Sequence, residues 1–306
     1  MANPSTNVNP WKGLNFYKEG EVIYGRNSEI ESLSHYIFNN TQTVLYGKSG
    51  IGKSSILNAG IFPLARKKGM LPIPIRLDHN NDASYIEQIR QAIVKSGADV
   101  HEIAPVIDPA KETLWEYLHR NIFFDKEGKR AQLLIVLDQF EEIFTLQQDE
   151  KTKLAFFNDI ADLINDITPL YIVNANKKQN VGEDKAREVT DSLDDIDIDL
   201  DIEETSALAN ENKYLQKIDH HFVFTLREDF LSYLERYTAY IPSMKSNRYA
   251  LMPLNEEQAA DIIMKPVEGL IDKSVAELII QRVTGRRDFI LDGIPEIEVD
   301  AAVLSL

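Results

Sequence analysis

A glycine-rich segment near residue 50 contains the residues best suited to chemistry. It consists of Gly47-Lys48-Ser49-Gly50-Ile51-Gly52-Lys53-Ser54-Ser55 and fits the pattern G-x-x-x-x-G-K-[ST], with the short apolar run 43–46 before it. Glycines let backbone N–H groups surround a phosphate, and the following helix points its positive N-terminus at the same anion. We therefore predict a nucleoside triphosphate site in which Lys53 reaches the β- and γ-phosphates and Ser54 is a ligand of Mg²⁺. The residues predicted to contact nucleotide here are Gly47, Ser49, Gly50, Ile51, Gly52, Lys53, Ser54 and Ser55.

A carboxylate suited to the metal follows a second apolar run. Residues 133–137 are all apolar and Asp138 comes directly after them. An acid at the tip of a buried strand is predicted to act with Ser54 on the metal, directly or through a water. Glu141 and Glu142 follow closely, and a carboxylate near the metal can activate the water that attacks a phosphate. The sequence does not show which of the two glutamates is the base. Each of them fits an ordinary acidic residue on the exposed face of a helix equally well.

Three further residues are candidates for nucleotide contact. Arg227 follows the apolar run 222–226, where a guanidinium either contacts the γ-phosphate or pairs locally with an acid of the next two residues. Arg26 and Pro253 are predicted to bracket the base or ribose. The segment 176–179, Asn-Lys-Lys-Gln, has glutamine where the guanine-reading pattern N-K-x-D has aspartate, so ATP is favoured over GTP.

The elements that must position these residues follow an alternating pattern. The helix after the glycine-rich loop is predicted to end or kink near Phe62 because of Pro63, and Lys111 to Phe124 is predicted to be one helix. Strands that alternate with helices predict an α/β fold, a parallel sheet core flanked by helices, with ligands at the carboxyl ends of the strands. The predicted strands are 43–46, 71–78 with a poorly paired proline-containing start, 132–137, 221–226 and 248–252.

We predict three parts of the chain. Residues 1–23 form a lead-in segment, 24–253 a P-loop NTPase core, and 254–306 a helical lid that stops inside an apolar stretch and is therefore expected to be incomplete. The segment 174–217 is predicted to be an acidic, mobile insertion, because 183–211 carries twelve acidic residues and a net charge of −10.

Composition narrows the function classes. The chain has 306 residues, 43% of them hydrophobic, and a net charge of −16, so its average surface repels nucleic acids and anionic membranes. The absence of cysteine excludes disulfides, thiolate metal sites and cysteine nucleophiles, and agrees with a reducing compartment. No apolar run approaches the ~20 residues of a membrane span and the start lacks a signal peptide pattern, so we expect a cytoplasmic protein without membrane or nucleic-acid partners.

Several segments together resemble the novel STAND-type NTPases of bacteria and archaea, an AAA+-like group of signal-transduction ATPases. These are the glycine-rich loop, Tyr24-Gly25-Arg26, the acidic string Leu137-Asp138-Gln139-Phe140-Glu141-Glu142-Ile143-Phe144, and Leu226-Arg227-Glu228-Asp229-Phe230, spread over about residues 10–270. The resemblance implies an ATPase whose nucleotide state controls oligomerisation, with sensor and effector domains outside this chain and, in several members, a role in defence against phage. It also makes Lys53 the Walker A lysine, Asp138 the Walker B aspartate, Arg227 the sensor arginine and Pro253 the proline that contacts nucleotide before a lid that is winged-helix-like.

Two alternatives remain open from the sequence. The first is an interaction module that holds nucleotide without turnover. The second is a nucleic-acid-dependent ATPase, which the acidic charge disfavours.

Overall fold

The computed structural model describes residues 15–80, 82–146, 150–175, 219–284 and residue 299. Most of the predicted acidic insertion, the segment 176–179 and the end of the chain lie outside these residues. The strands are β1 Gln42–Gly47, β2 Met70–Ile75, β3 Asp99–Glu102, β4 Asn121–Phe124, β5 Gln132–Leu137, β6 His221–Arg227 and β7 Arg248–Ala250. The α-helices are α1 Asn27–Asn39, α2 Lys53–Ser55, α3 Phe62–Lys67, α4 Tyr85–Lys95, α5 Leu114–His119, α6 Glu142–Thr145, α7 Glu150–Ile164, α8 Leu231–Leu234, α9 Ser243–Ser246, α10 Glu256–Met264 and α11 Lys273–Thr284, and 170–175 are also helical.

Five of the strands form one parallel sheet in the order β2-β5-β6-β1-β7. Helices cover both of its faces, which explains why β5 is apolar at every position after Gln132. Leu133, Ile135 and Leu137 face a core shared with α4, α5 and α7, whereas Leu134 and Val136 face a second core shared with α1 and the helix after β1. The predicted α/β fold, a P-loop NTPase sheet flanked by helices, is confirmed.

The prediction that β2 is poorly paired at its start is wrong. All six residues of β2 pair with β5, including Pro72 opposite Leu134 and Pro74 opposite Val136. Because β2 is an edge strand, alternate residues point their backbone nitrogens away from the sheet, and prolines two residues apart are tolerated there. The strand ends at Ile75 and not at 78, because the side chain of Gln88 bonds both the N–H and the C=O of Asp78 at 2.7 and 2.8 Å.

The helix after the glycine-rich loop does not end at Phe62. Helices α2 and α3 are joined by a π-helical segment, Ile56–Ile61, and α3 continues past Pro63 to Lys67. In the π-helical segment the N–H of Phe62 bonds to the carbonyl of Leu57. The hydrogen-bond register therefore changes just before Pro63. Since proline has no backbone N–H to donate, this change lets the helix continue through it.

The single helix predicted over 111–124 is also wrong. Helix α5 ends at His119, and Asn121–Phe124 form β4, which pairs antiparallel with β3. Ile122, Phe123 and Phe124 are residues that favour strands, and Phe123 is 2% exposed in the core. Tertiary pairing with β3 therefore overrides the helical spacing of the apolar residues.

A third apolar cluster lies beyond the sheet. It joins α10, α11, Leu254 and Val299, which pairs with Leu254 as an antiparallel bridge. Helix α10 begins with a capping box: the side chain of Asn255 accepts from the N–H of Gln258, and the side chain of Gln258 accepts from the N–H of Asn255. The division of the chain at 253 stays a prediction. Among the residues described, none of the helices is both long and apolar enough to cross a bilayer.

Candidate functional site

A cavity of about 600 Å³ lies where the carboxyl ends of β1, β5 and β6 meet. Its walls come from the lead-in segment, the glycine-rich loop, the strand ends and one residue of α10. The lining residues are Asn15, Phe16, Tyr17, Ile23, Tyr24, Arg26, Ser49, Gly50, Ile51, Gly52, Lys53, Ser54, Ser55, Asp138, Gln139, Glu141, Glu142, Thr145, Thr225, Arg227, Phe230 and Ile262. Most of the predicted site residues are therefore brought together. Gly47 and Pro253 are not among the lining residues.

The conformation of the loop explains its glycines. Gly50 and Gly52 have φ of +75° and +101°, which side chains disfavour. Gly47 is needed for a different reason, because a Cβ there would lie 2.6 Å from the carbonyl oxygen of Leu251. The loop thus passes closely against the chain that follows β7, and its backbone is free to surround an anion.

Lys53 is directed at the loop. Its Nζ donates to the carbonyl oxygens of Gly47 and Lys48, each at 3.0 Å. Burial lowers the pKa of Lys53, and the nearby carboxylates of Glu141 and Asp138 oppose that shift. The ammonium therefore lies between two carbonyls and an acidic wall, a position from which a phosphate of a bound nucleotide is within reach of a side-chain rotation.

Asp138 lies opposite Ser54, as predicted. The hydroxyl of Ser54 donates to Oδ2 of Asp138 at 2.8 Å, and the hydroxyl of Thr225 donates to Oδ1 at 2.5 Å. The same Thr225 oxygen accepts from the N–H of Gln139 at 2.8 Å, and Gln139 has a left-handed φ of +54°. The carboxylate is thus held on both oxygens, and the chain turns sharply just after it.

The two adjacent glutamates have different surroundings. The carboxylate of Glu142 forms a two-point ion pair with Arg76, which follows β2. Both glutamates line the cavity, but Oε2 of Glu141 is buried without a hydrogen-bond partner among the residues that the structure describes. A buried carboxylate oxygen without a hydrogen bond costs free energy of folding, unless a bound molecule supplies the hydrogen bond. The geometry thus distinguishes two residues that the sequence does not separate.

Arg227 forms the local ion pair that was one of its two predicted arrangements, and its contact with the γ-phosphate stays a prediction. Its guanidinium pairs with Asp229 and lies 5.6 Å from the ring centroid of Phe230, yet the side chain also lines the cavity. Its Nε is buried without a partner. A local ion pair and a position facing the cavity are therefore compatible in one side chain.

Arg26 joins three parts of the site. Its guanidinium donates to the carbonyl of Ile51 in the loop at 3.2 Å and to the carbonyl of Met252 at 2.9 Å, and it pairs with Glu29 at 2.8 Å. Glu29 in turn accepts from the side chain of Gln258 in α10 at 2.8 Å. Arg26 is 3% exposed. The structure thus gives Arg26 protein partners that connect the loop to α10, and contact with a base or ribose stays a prediction.

The lead-in segment forms an aromatic wall. Phe16 and Tyr17 of this segment line the cavity, as do the neighbouring Tyr24 and Ile262 of α10. The N–H of Tyr17 donates to the hydroxyl of Ser55 at 3.2 Å, so this predicted binding residue is engaged with the lead-in backbone. Aromatic and aliphatic side chains of this kind suit the flat face of a base.

Two residues were missed by the sequence reasoning. Thr225 is a polar residue inside the apolar run of β6, and that interruption is a signal that was available. Arg76 lies inside the predicted second strand, 71–78, and directly after the observed strand β2, but nothing in the sequence connects it to Glu142. Each of the two contacts a carboxylate that follows β5, Asp138 or Glu142. These contacts arise from the order of the strands, because β2 and β6 lie on either side of β5.

The residues present fit a magnesium-bound nucleoside triphosphate. Ser54 and Asp138 offer one hydroxyl and one carboxylate oxygen 2.8 Å apart, the hard oxygen donors that Mg²⁺ prefers. The loop offers backbone N–H groups in a conformation open to an anion, with Lys53 beside them. If such a nucleotide bound here, Ser54 and Asp138 would hold the metal and the loop would hold the phosphates.

One protein family and several solved structures are similar to this chain. Residues 10–208 match the family model described as Novel STAND NTPase 1. Curated protein sequences gave no match. Solved structures of similar fold include the Walker-type ATPase PABY2304 of Pyrococcus abyssi, 13% identical over 87% of this chain and 65% of its own, with a TM-score of 0.47.

Two other solved structures show the same kind of similarity. A chain of the E. coli MS115-1 HORMA:CdnC:Trip13 complex is 14% identical over 87% of this chain and 76% of its own, with a TM-score of 0.45. The ORC1 protein of Aeropyrum pernix, solved in complex with DNA, is 15% identical over 93% of this chain and 58% of its own, with a TM-score of 0.43. This chain thus spans less than two thirds of two of the three. The similarity concerns the fold and says nothing of what this chain binds.

Proposed function

The chain belongs to the novel STAND NTPase 1 family, and from this premise we propose that it binds and hydrolyses ATP as a switch whose nucleotide state controls self-association. The P-loop sequence, the Ser54–Asp138 pair and the aromatic wall beside Ile262 support ATP with Mg²⁺ as the occupant. The lack of cysteine supports a site of action in the cytoplasm.

The mechanism assigns one role to each side chain. The loop N–H groups and Lys53 bind the phosphates, and Lys53 offsets the charge that develops on the γ-phosphate. Mg²⁺, when bound at Ser54 and Asp138, supplies further neutralisation of the phosphate oxygens. Glu141 orients the attacking water and accepts its proton, and Arg227 contacts the γ-phosphate and responds to its loss.

The observation that most strongly supports hydrolysis is the difference between the two glutamates. A general base needs an oxygen that is free to accept a proton, and Glu141 has a buried Oε2 without a partner beside Lys53. Glu142 has both oxygens engaged by Arg76. We therefore assign the base to Glu141 and a structural ion pair to Glu142.

The test compares Glu141→Gln with Glu142→Gln, two isosteric changes at adjacent positions. We expect Glu141→Gln to bind ATP as the wild type does and to lose turnover by about 100-fold or more, the usual contribution of a general base. Glu142→Gln is expected to keep turnover within about threefold, because it loses only a partly exposed ion pair. ATP hydrolysis and calorimetric ATP affinity are measured for both, with thermal unfolding as the check on folding.

The opposite ranking of the two variants would contradict the assignment of the base. Tight ATP binding without hydrolysis by the wild type, even after self-association, would favour the non-hydrolysing interaction module. Light scattering of Glu141→Gln with ATP and with ADP tests the switch, and an identical mass in both states would contradict it. Strong, salt-sensitive stimulation by DNA or RNA would favour a nucleic-acid-dependent ATPase.

Sensor and effector domains outside this chain, and a role in defence against phage, are part of the proposal because they are usual in proteins of this type. The proposal names no trigger. The nucleotide state would be coupled to self-association as a population shift between two conformations.

A further inference from the structure

A second cavity, of about 460 Å³, lies at the amino end of the sheet. It begins where β2, β5 and β6 begin, and its wall includes Gly69, Gln132 and His220. The three strands have six or seven residues, so roughly 20 Å of sheet separates this cavity from the nucleotide site. Helix α5 and strand β4 complete the wall with Leu118, His119 and Asn121. An occupant here would not touch the nucleotide.

Two histidines present unused ring nitrogens in the wall of this cavity. Nδ1 of His119 bonds to the carbonyl of Trp115 at 2.7 Å and the rings of the two residues stack at 3.5 Å, so the proton is assigned to Nδ1 and Nε2 carries a lone pair. Nδ1 of His220 accepts from the N–H of Leu133 at 3.0 Å, which assigns the proton of His220 to Nε2. Neither Nε2 has a hydrogen-bond partner in the described part of the chain.

Burial keeps both imidazoles neutral. It lowers the pKa of His119 to about 4 and that of His220 to about 3, and Arg130 contributes to the shift of His220. His119 is only 7% exposed. At neutral pH the wall therefore offers one acceptor, one N–H donor and the side-chain oxygen of Asn121, whose amide N–H₂ is already bonded to the carbonyl of Tyr117.

The rim of the cavity is positively charged, in contrast to the chain as a whole. Arg130 and Lys68 lie on it, and neither forms an ion pair with any residue that the structure describes. The ammonium of Lys68 lies 5.2 Å from the ring centroid of Phe38. Asp219 is the one carboxylate among the lining residues, whereas the whole chain has a net charge of −16. Two cations without carboxylate partners favour an anionic occupant.

We propose that this cavity is a binding site for a small phosphate monoester with a planar, hydrogen-bonding body, such as a nucleoside monophosphate. The phosphate would contact Arg130 and Lys68, since a guanidinium binds phosphate at two points. The planar body would lie against His119 and Asn121, where donors and acceptors meet an apolar wall. A volume of about 460 Å³ is within the usual range for small-molecule sites.

The test uses the full chain saturated with ADP and Mg²⁺, so that the nucleotide site is filled. GMP and inorganic phosphate are the probes, and binding is followed by calorimetry. We expect GMP to bind with a Kd below about 1 mM and Arg130→Gln to weaken it by about tenfold. The matched control is Lys129→Gln, since Lys129 neighbours Arg130, is paired with Glu127 and does not line the cavity. The control is expected to bind GMP as the wild type does.

The NMR signals of the histidine rings provide a second measurement. They distinguish binding in this cavity from nonspecific attraction of an anion to positive charge. GMP is expected to shift the ring signals of His119 and His220 and to leave those of His35, an exposed residue of α1, unchanged. No heat and no shift at about 10 mM GMP would overturn the proposal, as would equal binding by Arg130→Gln. Binding of inorganic phosphate as tight as that of GMP would also overturn it, because the imidazoles would then contribute nothing. ATP hydrolysis is measured separately, so failure here is distinguishable from failure of the proposed function.

Discussion

The two ends of the parallel sheet treat ionisable side chains in opposite ways. At the carboxyl end, Asp138 and Lys53 share one cavity and each is held by hydrogen bonds to other residues of the site. At the amino end, the buried His119 and the half-buried His220 are held in their neutral forms and bond to backbone groups. The comparison teaches that charge is retained where residues of opposite charge converge, and removed where a titratable group is buried among backbone and aromatic partners.

The backbone at the carboxyl end of the sheet is strained at one residue of the site. At the carboxyl end, Gln139 has a φ of +54°, a conformation that costs a non-glycine residue roughly 1–2 kcal/mol. Its N–H is fixed by Thr225, so the hydrogen bonds around Asp138 offset this strain. Strain that persists in a well-bonded position is typical of functional sites.

The larger of the two effects that follow from this comparison tests the carboxyl end of the sheet. Thr225→Val removes the hydroxyl that donates to Asp138 at 2.5 Å and accepts from Gln139 at 2.8 Å, while keeping the side-chain shape. We expect ATP turnover to fall by about 10- to 100-fold, as for other residues that orient a metal-binding carboxylate. ATP affinity in the absence of Mg²⁺ is expected to change little.

Thr43→Val is the matched control for that variant. Thr43 is also a fully buried strand threonine, but its hydroxyl has no hydrogen-bond partner in the described parts of the chain. The control should therefore keep full turnover and gain or keep stability. Equal turnover losses in both variants would indicate a general packing effect and would contradict the positioning role of Thr225.

A second prediction, with a smaller expected effect, tests whether burial keeps titratable side chains neutral. Asp159 accepts from the N–H of Leu114 at 3.2 Å, at the start of α5, and its other oxygen is buried without a partner. Burial raises the pKa of Asp159 from 3.8 to about 7. The unfolded chain ionises first, so stability is lost as the pH rises from about 4 to about 7, and the loss then levels off.

Asp159→Asn should therefore stabilise the protein, by about 1 to 2 kcal/mol at pH 8 and by less at pH 5. The free energy of unfolding in urea at the two pH values measures this difference. Asp162→Asn is the control, because Asp162 is more exposed and should give a smaller difference. A gain that does not depend on pH would contradict the account of Asp159.

Much of the fold was predictable from local sequence. The run 132–137 matches β5 residue for residue, because a strand covered on both faces has to be apolar throughout. The loop and Asp138 were predictable because phosphate binding imposes fixed spacings. By contrast, Asn121–Phe124 became a strand through pairing with β3, a contact that no local pattern records.

Most residues of the site were predictable from the sequence, but the contacts between them were less so. Glu141 and Glu142 are identical in type and adjacent, so only Arg76, which is 66 positions away in the chain, distinguishes them. Thr225 acts on Asp138 across two neighbouring strands. Such contacts depend on the order of the strands in the sheet, and the spacing of residues in the sequence does not show that order.

The most direct test of the central claim is calorimetric titration of ATP and Mg²⁺ into the wild type, Lys53→Ala and Lys48→Ala. Lys53 lines the cavity, whereas Lys48 belongs to the same loop but does not line it. The account predicts that Lys53→Ala weakens ATP binding by about 100-fold or more without unfolding, because a charged hydrogen bond to phosphate is lost, and that Lys48→Ala binds as the wild type does. Unchanged ATP affinity in folded Lys53→Ala would contradict the assignment of this cavity as the nucleotide site.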